Sequence, residues 1–201
     1  MKKFKEIHDK LKVPAEIIEK EEILKIIPNI NPNQIRYGYF DPTAGKAYPF
    51  DTIYALYETL TKKGIKIYEH TYAEKMIKKD EELIGVNTNR GGIEAETIIA
   101  ATGSGTKKLM ETIDIKVPLK NMPRHVLVTE RFKEILKPLV IDWDTPGAPY
   151  IVQTKEGNFY MGVEVEEEPD QPLKVQRVDY MPKILRAIYR FFPWIINTRV
   201  L

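Results

Sequence analysis

The first third of the chain carries apolar residues at helical spacing. Phe4, Ile7 and Leu11 fall at i, i+3 and i+7, which predicts a short amphipathic helix at the amino end. A second helix is predicted to follow Pro14, because the next apolar residues share one helical face. Those residues are Ile17, Ile18, Ile23, Leu24 and Ile27. The helix is predicted to end at Pro28, where a turn-rich run begins.

The middle of the chain combines one helix with segments of period-two alternation. The helix is predicted over residues 52–63, with Asp51 as its N-cap and Gly64 as the C′ residue that ends it. The predicted strands are 35–40, 65–69, 72–77, 83–88 and 93–100. Polar turns separate the last three strands, so a β-meander is expected there.

The second half begins with an apolar run and is then mainly β. Residues 98–101 form an apolar segment that enters a Gly-rich turn at 101–105, followed by a predicted helix over 107–113. Beyond Val117, strands are predicted over 124–130, 139–143, 150–154 and 158–164, with a hairpin turn at 155–158. A helix over 178–192 is predicted to close the chain.

Composition narrows the class of protein. The 201 residues are 43% hydrophobic, which excludes disorder, and 31 basic against 29 acidic side chains leave a net charge of +2. That balance argues against nucleic acid and membrane surfaces as partners. The chain has no cysteine, so disulfide scaffolds and thiolate chemistry are excluded, and no histidine has metal-ligand spacing, so no metal is expected. The charged amino end lacks the apolar core of a signal peptide, which favours the cytoplasm.

Two motifs are candidates for chemistry, each with a structural alternative. The turn from Ala101 to Gly105 could bring backbone close to a phosphate or ring, or could be a plain strand-to-helix turn. The full G-x-G-x-x-G fingerprint is absent from it. His125, next to Arg124 on a predicted strand, could donate a proton or bind a substrate carboxylate with Arg124. The alternative is a hydrogen-bonded structural histidine, which is the commoner role.

Further polar residues lie on the predicted strands near the carboxyl end. Tyr150, Gln153 and Tyr160 are predicted to share a face that could hold a small polar ligand, although cross-strand packing explains them equally well. The acidic run from Glu164 to Asp170 could attract an amine, and its default interpretation is a solvated loop. Glu164 is the member of that run selected as a candidate.

Four blocks of sequence, in this order and spacing, resemble FAD-dependent amine oxidoreductases. The blocks are 39–49, 71–76, 100–103 and 124–130. Within that superfamily, which includes D-amino acid, glycine and sarcosine oxidases, the chain looks most like the β subunits of sarcosine oxidase and L-proline dehydrogenase. Members of the family begin with a G-x-G-x-x-G unit, and nothing like it stands in this sequence. The chain is therefore expected to be the central portion of such an enzyme, with weak or no affinity for FAD and no activity by itself.

The resemblance implies roles for particular residues. Ala73 matches a strand whose backbone reaches the adenine end of FAD, and the second Gly-rich turn of the family matches Ala101, Thr102, Gly103 and Ser104. Tyr150 matches a strand over the flavin where substrate binds. Glu164 stands where some relatives carry histidine, and Tyr160 where some oxidases carry lysine. The expected substrate-binding residues are Tyr150, Arg124, His125 and Glu164, and no catalytic residue is assigned.

The expected fold class is α+β. The expected fold consists of a mixed-sheet substrate domain and part of an FAD-binding α/β domain, without the dinucleotide-binding βαβ unit. The expected segments are 1–34 (helical), 35–116 (meander and partial FAD-binding portion) and 117–201 (substrate-domain sheet with a closing helix). The expected function is part of an FAD-dependent oxidase or dehydrogenase of sarcosine, proline, glycine or similar amines. The alternative is a noncatalytic binding module derived from one. Expected partners are the substrate, a flavin-binding chain and further copies of this chain, joined through exposed strand edges.

Overall fold

The structure, a computed structural model, describes residues 1–164 and 179–201. They form two compact units. The first unit comprises 1–47, 123–164 and 179–201, and the second comprises 48–122. The segments predicted from the sequence, 1–34, 35–116 and 117–201, have different limits and stay a prediction.

The elements confirm the α+β class. In chain order they are α1 (Lys2–Lys10), β1 (Glu16–Glu19), α2 (Lys20–Ile26), β2 (Tyr37–Phe40), α3 (Pro49–Lys62), β3 (Ala73–Lys79), β4 (Glu82–Thr88), β5 (Gly91–Glu94), α4 (Thr106–Glu111), β6 (Val126–Arg131), β7 (Val140–Ile141), β8 (Tyr150–Gln153), β9 (Asn158–Gly162) and α5 (Tyr180–Tyr189). Short 3₁₀ turns lie at Pro32–Gln34, Gly103–Gly105 and Pro193–Asn197. No helix in the described part of the chain is long and apolar enough to cross a membrane.

The first unit opens with a two-stranded sheet where a helix was predicted. Ile17 and Ile18 lie in β1, which pairs antiparallel with β2 from Glu16 opposite Phe40 to Glu19 opposite Tyr37. The prediction of a helix through these isoleucines is wrong, because a β-branched pair opposite a predicted strand is better accommodated in a ladder. The helix α2 begins only at Lys20.

The main sheet of the first unit has four strands in the order β6-β9-β8-β7. Val126 lies opposite Gly162, and Gly162 in turn lies opposite Tyr150. Every pairing among the described strands is antiparallel, so the expected mixed sheet is wrong. The end of the chain continues this sheet beside β6, since the Leu201 amide donates to the Val128 carbonyl at 2.9 Å.

The core of the first unit lies between the inner face of this sheet and the helices. Ile151, Phe159 and Met161 point inward from the strands and are at most 1% exposed. They belong to one cluster with Ile18, Ile23, Ile27, Ile30, Leu136, Tyr180, Ile184, Ile188, Phe192 and Ile195. Helix α5 supplies a buried residue at each turn, as its i, i+4, i+8 spacing requires.

The second unit contains the predicted β-meander, β3-β4-β5. Its core is small, made of Met76, Leu109 and Ile113 with a few partly buried neighbours. The Met76 amide donates to Thr112 Oγ1 at 3.1 Å, which ties β3 to the end of α4. The fourteen-residue helix α3 has no buried residue, and Phe50 is 75% exposed.

Helix α3 begins earlier than the sequence prediction. Tyr48 is its N-cap and Pro49 its first residue, a position where the fixed φ of proline and its missing N–H cost nothing. The expected N-cap Asp51 instead lies in the first turn, where its charge suits the helix dipole. Gly64 follows the C-cap with φ +77°, so the predicted helix end is confirmed.

Two predicted strands of the second unit differ from the structure. Residues 65–69 belong to no strand, and β5 ends at Glu94, beyond which the Ala95 amide still donates to the Ile84 carbonyl of β4 at 3.0 Å. Their alternation is that of a strand, but residues 65–69 and 96–100 form no ladder with another of the described strands. The Gly-rich turn is consequently preceded by irregular backbone instead of a strand.

Candidate functional site

A charged pair lies at one end of the four-stranded sheet, in the first unit. Continuing the β6-β9 register two residues beyond Val126 and Gly162 brings Arg124 opposite Glu164. Arg124 Nη2 donates to Glu164 Oε1 at 2.5 Å, and the two side chains are 50% and 60% exposed. The structure therefore brings together two of the residues predicted to bind substrate.

Tyr150 joins this pair across strand β9. Its ring lies over Gly162, where a Cβ would be 2.5 Å from Tyr150 Cε1 and 2.7 Å from its hydroxyl oxygen. Any side chain at residue 162 would therefore displace the ring. Because Gly162 has no side chain, the Tyr150 phenol can extend across β9 towards β6, the strand that follows Arg124.

The phenol of Tyr150 has a perturbed pKa. Burial raises the pKa of Tyr150 above its ordinary value of 10.0, and the nearby positive charge of Arg124 partly offsets that rise. The hydroxyl is consequently protonated at neutral pH and can donate a hydrogen bond. The three groups present a guanidinium, a carboxylate and a neutral phenol on the face of the sheet opposite the core. We call Arg124, Tyr150 and Glu164 the polar triad.

The backbone beneath Glu164 is held in place. Its amide donates to the Gly147 carbonyl at 2.6 Å. Gly147 has φ +84°, and a Cβ there would lie 2.2 Å from the Glu164 carbonyl oxygen, so only glycine fits this approach. Sequence reasoning missed Gly147 and Gly162. The available signal for Gly162 was its strand register opposite Tyr150.

His125 lies on the other face of the sheet from Arg124. Its ring stacks on Tyr180 of α5, with ring centroids 3.8 Å apart and an interplanar angle of 18°. Successive residues of an extended strand point to opposite faces, which separates the side chains of Arg124 and His125. The stack on a buried tyrosine favours the structural alternative for His125, and its binding of a carboxylate together with Arg124 stays a prediction.

Gln153 is also separated from the tyrosines with which it was grouped. It is 1% exposed on the inner face, whereas Tyr160 is 43% exposed on the outer face with Tyr150. Its Oε1 accepts hydrogen bonds from the Ile135 and Leu136 amides at 2.9 and 3.0 Å, and its Nε2 donates to the Lys133 carbonyl at 2.9 Å. Gln153 therefore anchors the loop between β6 and β7, and the predicted shared face is wrong because an odd spacing reverses orientation in a strand.

The predicted cofactor residues lie in the second unit and are exposed. Gly103 has φ +55° and begins the 3₁₀ turn, and no heavy atom lies within 4 Å of the position that its Cβ would occupy. Thr102 Oγ1 and Thr106 Oγ1 are 3.0 Å apart, and the Ser104 carbonyl accepts from Asn121 Nδ2 at 3.3 Å. The turn from Ala101 to Ser104 thus presents accessible backbone from a conformation held by hydrogen bonds.

Ala73, the other cofactor candidate, begins β3 opposite Thr88. The register shifts between Ala73 and Lys75, which is the signature of a β-bulge. The preceding residue, Tyr72, is fixed because its amide donates to Asn89 Oδ1 at 2.7 Å. Bulges are enriched next to ligand sites, so this exposed strand start is compatible with its expected role.

The acidic run predicted near the carboxyl end is described only at its first residue. Glu164 belongs to the polar triad, and the rest of the run lies outside the described residues. Within residues 1–164 and 179–201, no cluster of three histidine or carboxylate side chains could hold a metal ion.

Known proteins share both the sequence and the fold of this chain. The sarcosine oxidase subunit beta of Arthrobacter sp is 26% identical over 159 residues, which cover 77% of this chain and 39% of that protein. The mitochondrial pyruvate dehydrogenase phosphatase regulatory subunit of Mus musculus is 23% identical, over 98% of this chain and 24% of its own length.

Among solved structures, L-proline dehydrogenase from P. horikoshii superposes with a TM-score of 0.92 at 26% identity, over 98% of this chain and 53% of that one. Glycine oxidase from Bacillus cereus superposes with a TM-score of 0.77 at 19% identity, over 94% of this chain and 51% of that one, and shares the fold. The chain thus spans about half the length of these solved structures. The model of the FAD dependent oxidoreductase family (DAO) matches residues 1–200, and the chain belongs to that family.

Proposed function

We propose that the chain forms the substrate-binding portion, and part of the FAD-binding portion, of an oxidoreductase that oxidises an amino acid or secondary amine. Sarcosine, proline and glycine define the expected substrate type. The proposal is carried by the superposition on L-proline dehydrogenase, which extends over 98% of this chain with a TM-score of 0.92. The polar triad gives this portion groups of the right chemistry for an amino acid.

FAD is the cofactor that the family implies, and the second unit has features that fit it. The turn from Ala101 to Ser104 offers exposed backbone amides and carbonyls, and open space at Gly103 lets a flat or charged ligand approach the chain closely. Ala73 offers a second exposed stretch of backbone. When bound, the flavin would accept the hydride from the substrate's α-carbon.

The residues of this chain would act through binding and orientation. Arg124 would hold the substrate carboxylate, since a guanidinium forms charge-assisted hydrogen bonds with carboxylates. The neutral hydroxyl of Tyr150 would donate a hydrogen bond to the same ligand, and its ring would exclude water from one side. No residue of this chain is proposed to perform the redox step.

A flavin-binding partner is part of the proposal, and helix α3 is its proposed contact. The apolar arc of α3, defined by Phe50, Ile53, Tyr54, Leu56 and Tyr57, is exposed at every position. An amphipathic helix normally buries such an arc. The chain covers only 53% of the L-proline dehydrogenase chain, so the fold it matches contains a further half that can cover this surface. We propose that the occupant is a polypeptide carrying the dinucleotide-binding G-x-G-x-x-G unit.

The first experiment measures flavin retention. The chain is purified alone and after coexpression with a G-x-G-x-x-G polypeptide encoded beside its gene, and the visible absorption spectrum is recorded after free FAD is removed. The chain alone is expected to be colourless and inactive, whereas the pair retains a flavin band that proline, sarcosine or glycine bleaches. A pair that forms but stays colourless contradicts the oxidoreductase proposal.

Two variants test the proposed cofactor turn. Gly103→Ala keeps the surface small but strains the turn at φ +55°, so the coexpressed pair is expected to retain less flavin. Gly64→Ala is the matched control, because Gly64 also has a positive φ of +77° with open space around it and lies outside the turn. Equal flavin loss in both variants would mean that backbone strain alone, and no cofactor contact, explains the result.

The α3 surface is tested by Ile53→Lys, which places a charge on the apolar arc without touching a buried residue. Association with the flavin-binding polypeptide is expected to be lost, while the unfolding transition of the isolated chain is retained. Light scattering of the isolated chain tests the alternative that a second copy of this chain covers the α3 surface. If the wild-type chain is a dimer that this variant dissociates, the surface joins two copies and the partner proposal for α3 is wrong.

A second function, a noncatalytic regulatory or binding module, has one specific observation in its favour. The chain aligns over 98% of its length with a protein named as a regulatory subunit, the mouse pyruvate dehydrogenase phosphatase regulatory subunit. A folded, flavin-free chain that has no flavin-binding neighbour in its genome would favour this function. The cytoplasmic location stays a prediction, and cell fractionation tests it.

A further inference from the structure

The pairing within the polar triad leaves Arg124 already bound to a carboxylate. Arg124 Nη2 donates a charge-assisted hydrogen bond to Glu164 Oε1. Both side chains are half exposed, and exposed ion pairs add little to stability. The pair is therefore poorly explained as a structural support. A ligand carboxylate that approaches Arg124 must compete with Glu164.

The structure limits how this competition can proceed. The Glu164 backbone is fixed by its 2.6 Å hydrogen bond to Gly147 and by the close approach of that glycine. Tyr150 is fixed over Gly162 on the other side. The Glu164 side chain, 60% exposed, can rotate off Arg124 without moving this backbone. A carboxylate released in this way stays at the edge of the site, next to whatever ligand has displaced it.

We propose that Arg124 and Glu164 form one amphoteric subsite for an amino acid zwitterion, in which Glu164 is the specificity-determining residue. The ligand carboxylate replaces Glu164 on Arg124, and the ligand ammonium then pairs with the released Glu164. The proposal rests on the proposed function and deepens it, because it selects amino acids over amines without a carboxylate and over acids without an amine.

The physical basis is the number of ion pairs that Arg124 and Glu164 make before and after a ligand binds. A zwitterion breaks one ion pair and makes two, so both protein charges keep a partner. A simple carboxylate breaks the same pair but leaves Glu164 without a cation, next to a second negative charge. The wild-type chain should therefore prefer the zwitterion, and neutralising Glu164 should remove that preference.

The test uses two probes of nearly the same shape, L-proline and cyclopentanecarboxylate, which lacks the nitrogen. Each is titrated into the isotope-labelled chain at neutral pH and matched ionic strength, and the Gly162 and Glu164 amide resonances report binding. In Glu164→Gln, the ratio of the proline affinity to the cyclopentanecarboxylate affinity is expected to fall about tenfold, the usual effect of one charge-assisted hydrogen bond. Proline itself is expected to bind about as tightly as in the wild-type chain, because it loses its ammonium partner but no longer has to displace Glu164 from Arg124. Cyclopentanecarboxylate is expected to bind more tightly, because Arg124 no longer has a competing carboxylate.

The control is Glu156→Gln, the same substitution in another exposed ion pair of the first unit, where Lys155 Nζ lies 3.9 Å from Glu156 Oε1. It should leave both affinities at the wild-type values. The proposal is overturned if neither probe shifts the Gly162 and Glu164 resonances of the wild-type chain. It is also overturned if Glu164→Gln leaves the ratio of the two affinities at its wild-type value. The amide spectrum of each variant verifies that it is folded.

This experiment involves no flavin, so its outcome is independent of cofactor retention. If the coexpressed pair is a flavin enzyme but Glu164→Gln leaves the ratio of the two affinities unchanged, only the subsite proposal fails. If the ratio changes as expected but no flavin is ever retained, the subsite stands and the chain is an amino acid-binding module.

Discussion

The two units of this chain differ in how completely they bury their own apolar residues. In the first unit, thirteen of the described residues form one buried cluster, and fully buried Phe159 and Ile184 lie within it. In the second unit, the buried cluster has three members, and the longest helix contributes none of them. A small core beside an exposed apolar helix indicates a unit whose stability depends on additional contacts.

The same difference is visible in the polar groups. The first unit satisfies buried Gln153 with hydrogen bonds from several parts of one loop. The second unit instead leaves residues 65–69 and 96–100 outside any strand, and Ile99 is 86% exposed. Backbone outside any ladder beside exposed apolar side chains is suited to receive another strand. The first unit is thus self-sufficient in packing, and the second has the features of an interface.

The largest expected difference between the units comes from two phenylalanines. Phe159→Ala removes a fully buried ring from the first unit and should lower the free energy of unfolding by about 3–5 kcal/mol. Phe50→Ala removes a 75% exposed ring from α3 and should change it by less than about 0.5 kcal/mol. Urea denaturation measures both. Equal effects would mean that α3 is packed in solution and that the contrast between the units is wrong.

The sequence predicted most helices and strands of the first unit because a closed core imposes its periodicity on them. The predicted strands at 150–154 and 158–164 and the closing helix are present as β8, β9 and α5. The failures have local causes. Ile17 and Ile18 fit a helical face but also a strand, and only their long-range pairing with β2 decides between the two.

In the second unit, alternation was not sufficient to predict a strand. Residues 65–69 and 96–100 have the right pattern, but a ladder also needs a neighbour, which a pattern within one segment cannot reveal. The candidate site shows a similar limit. Arg124, Tyr150 and Glu164 were all predicted, whereas the pairing of Arg124 with Glu164 and the role of Gly162 follow from strand register.

An effect of intermediate size on the free energy of unfolding is expected from the buried side-chain amide of Gln153 in the first unit. Gln153→Leu keeps the side chain's size but leaves the amides of Ile135 and Leu136 without acceptors, which should cost about 2–3 kcal/mol. Gln34→Leu is the matched control, since the side-chain oxygen of Gln34 accepts an exposed hydrogen bond from Arg190 Nη2, 3.3 Å away. Hydrogen exchange at Ile135 and Leu136 should accelerate in the first variant alone. Unchanged protection would show that the loop is held by other contacts.

The smallest expected effect is on the pH dependence of stability. It tests whether the packing of the first unit also buries the Tyr150 phenol of the polar triad. Because burial raises the pKa of Tyr150 above 10.0, the folded state binds its proton more tightly than the unfolded state. The resulting stabilisation is complete below the unfolded value and is lost as the pH rises through the folded value. Tyr150→Phe should remove this alkaline loss, so the stability of the variant relative to wild type should increase as the pH rises through the ordinary value of 10.0 and above it. Tyr72→Phe, which removes an exposed hydroxyl from the second unit, is the control for losing one phenol. If both variants follow the wild-type pH dependence of unfolding, the Tyr150 phenol is as well solvated in solution as that of Tyr72. The close packing of the first unit would then be confined to its core and would not include the polar triad.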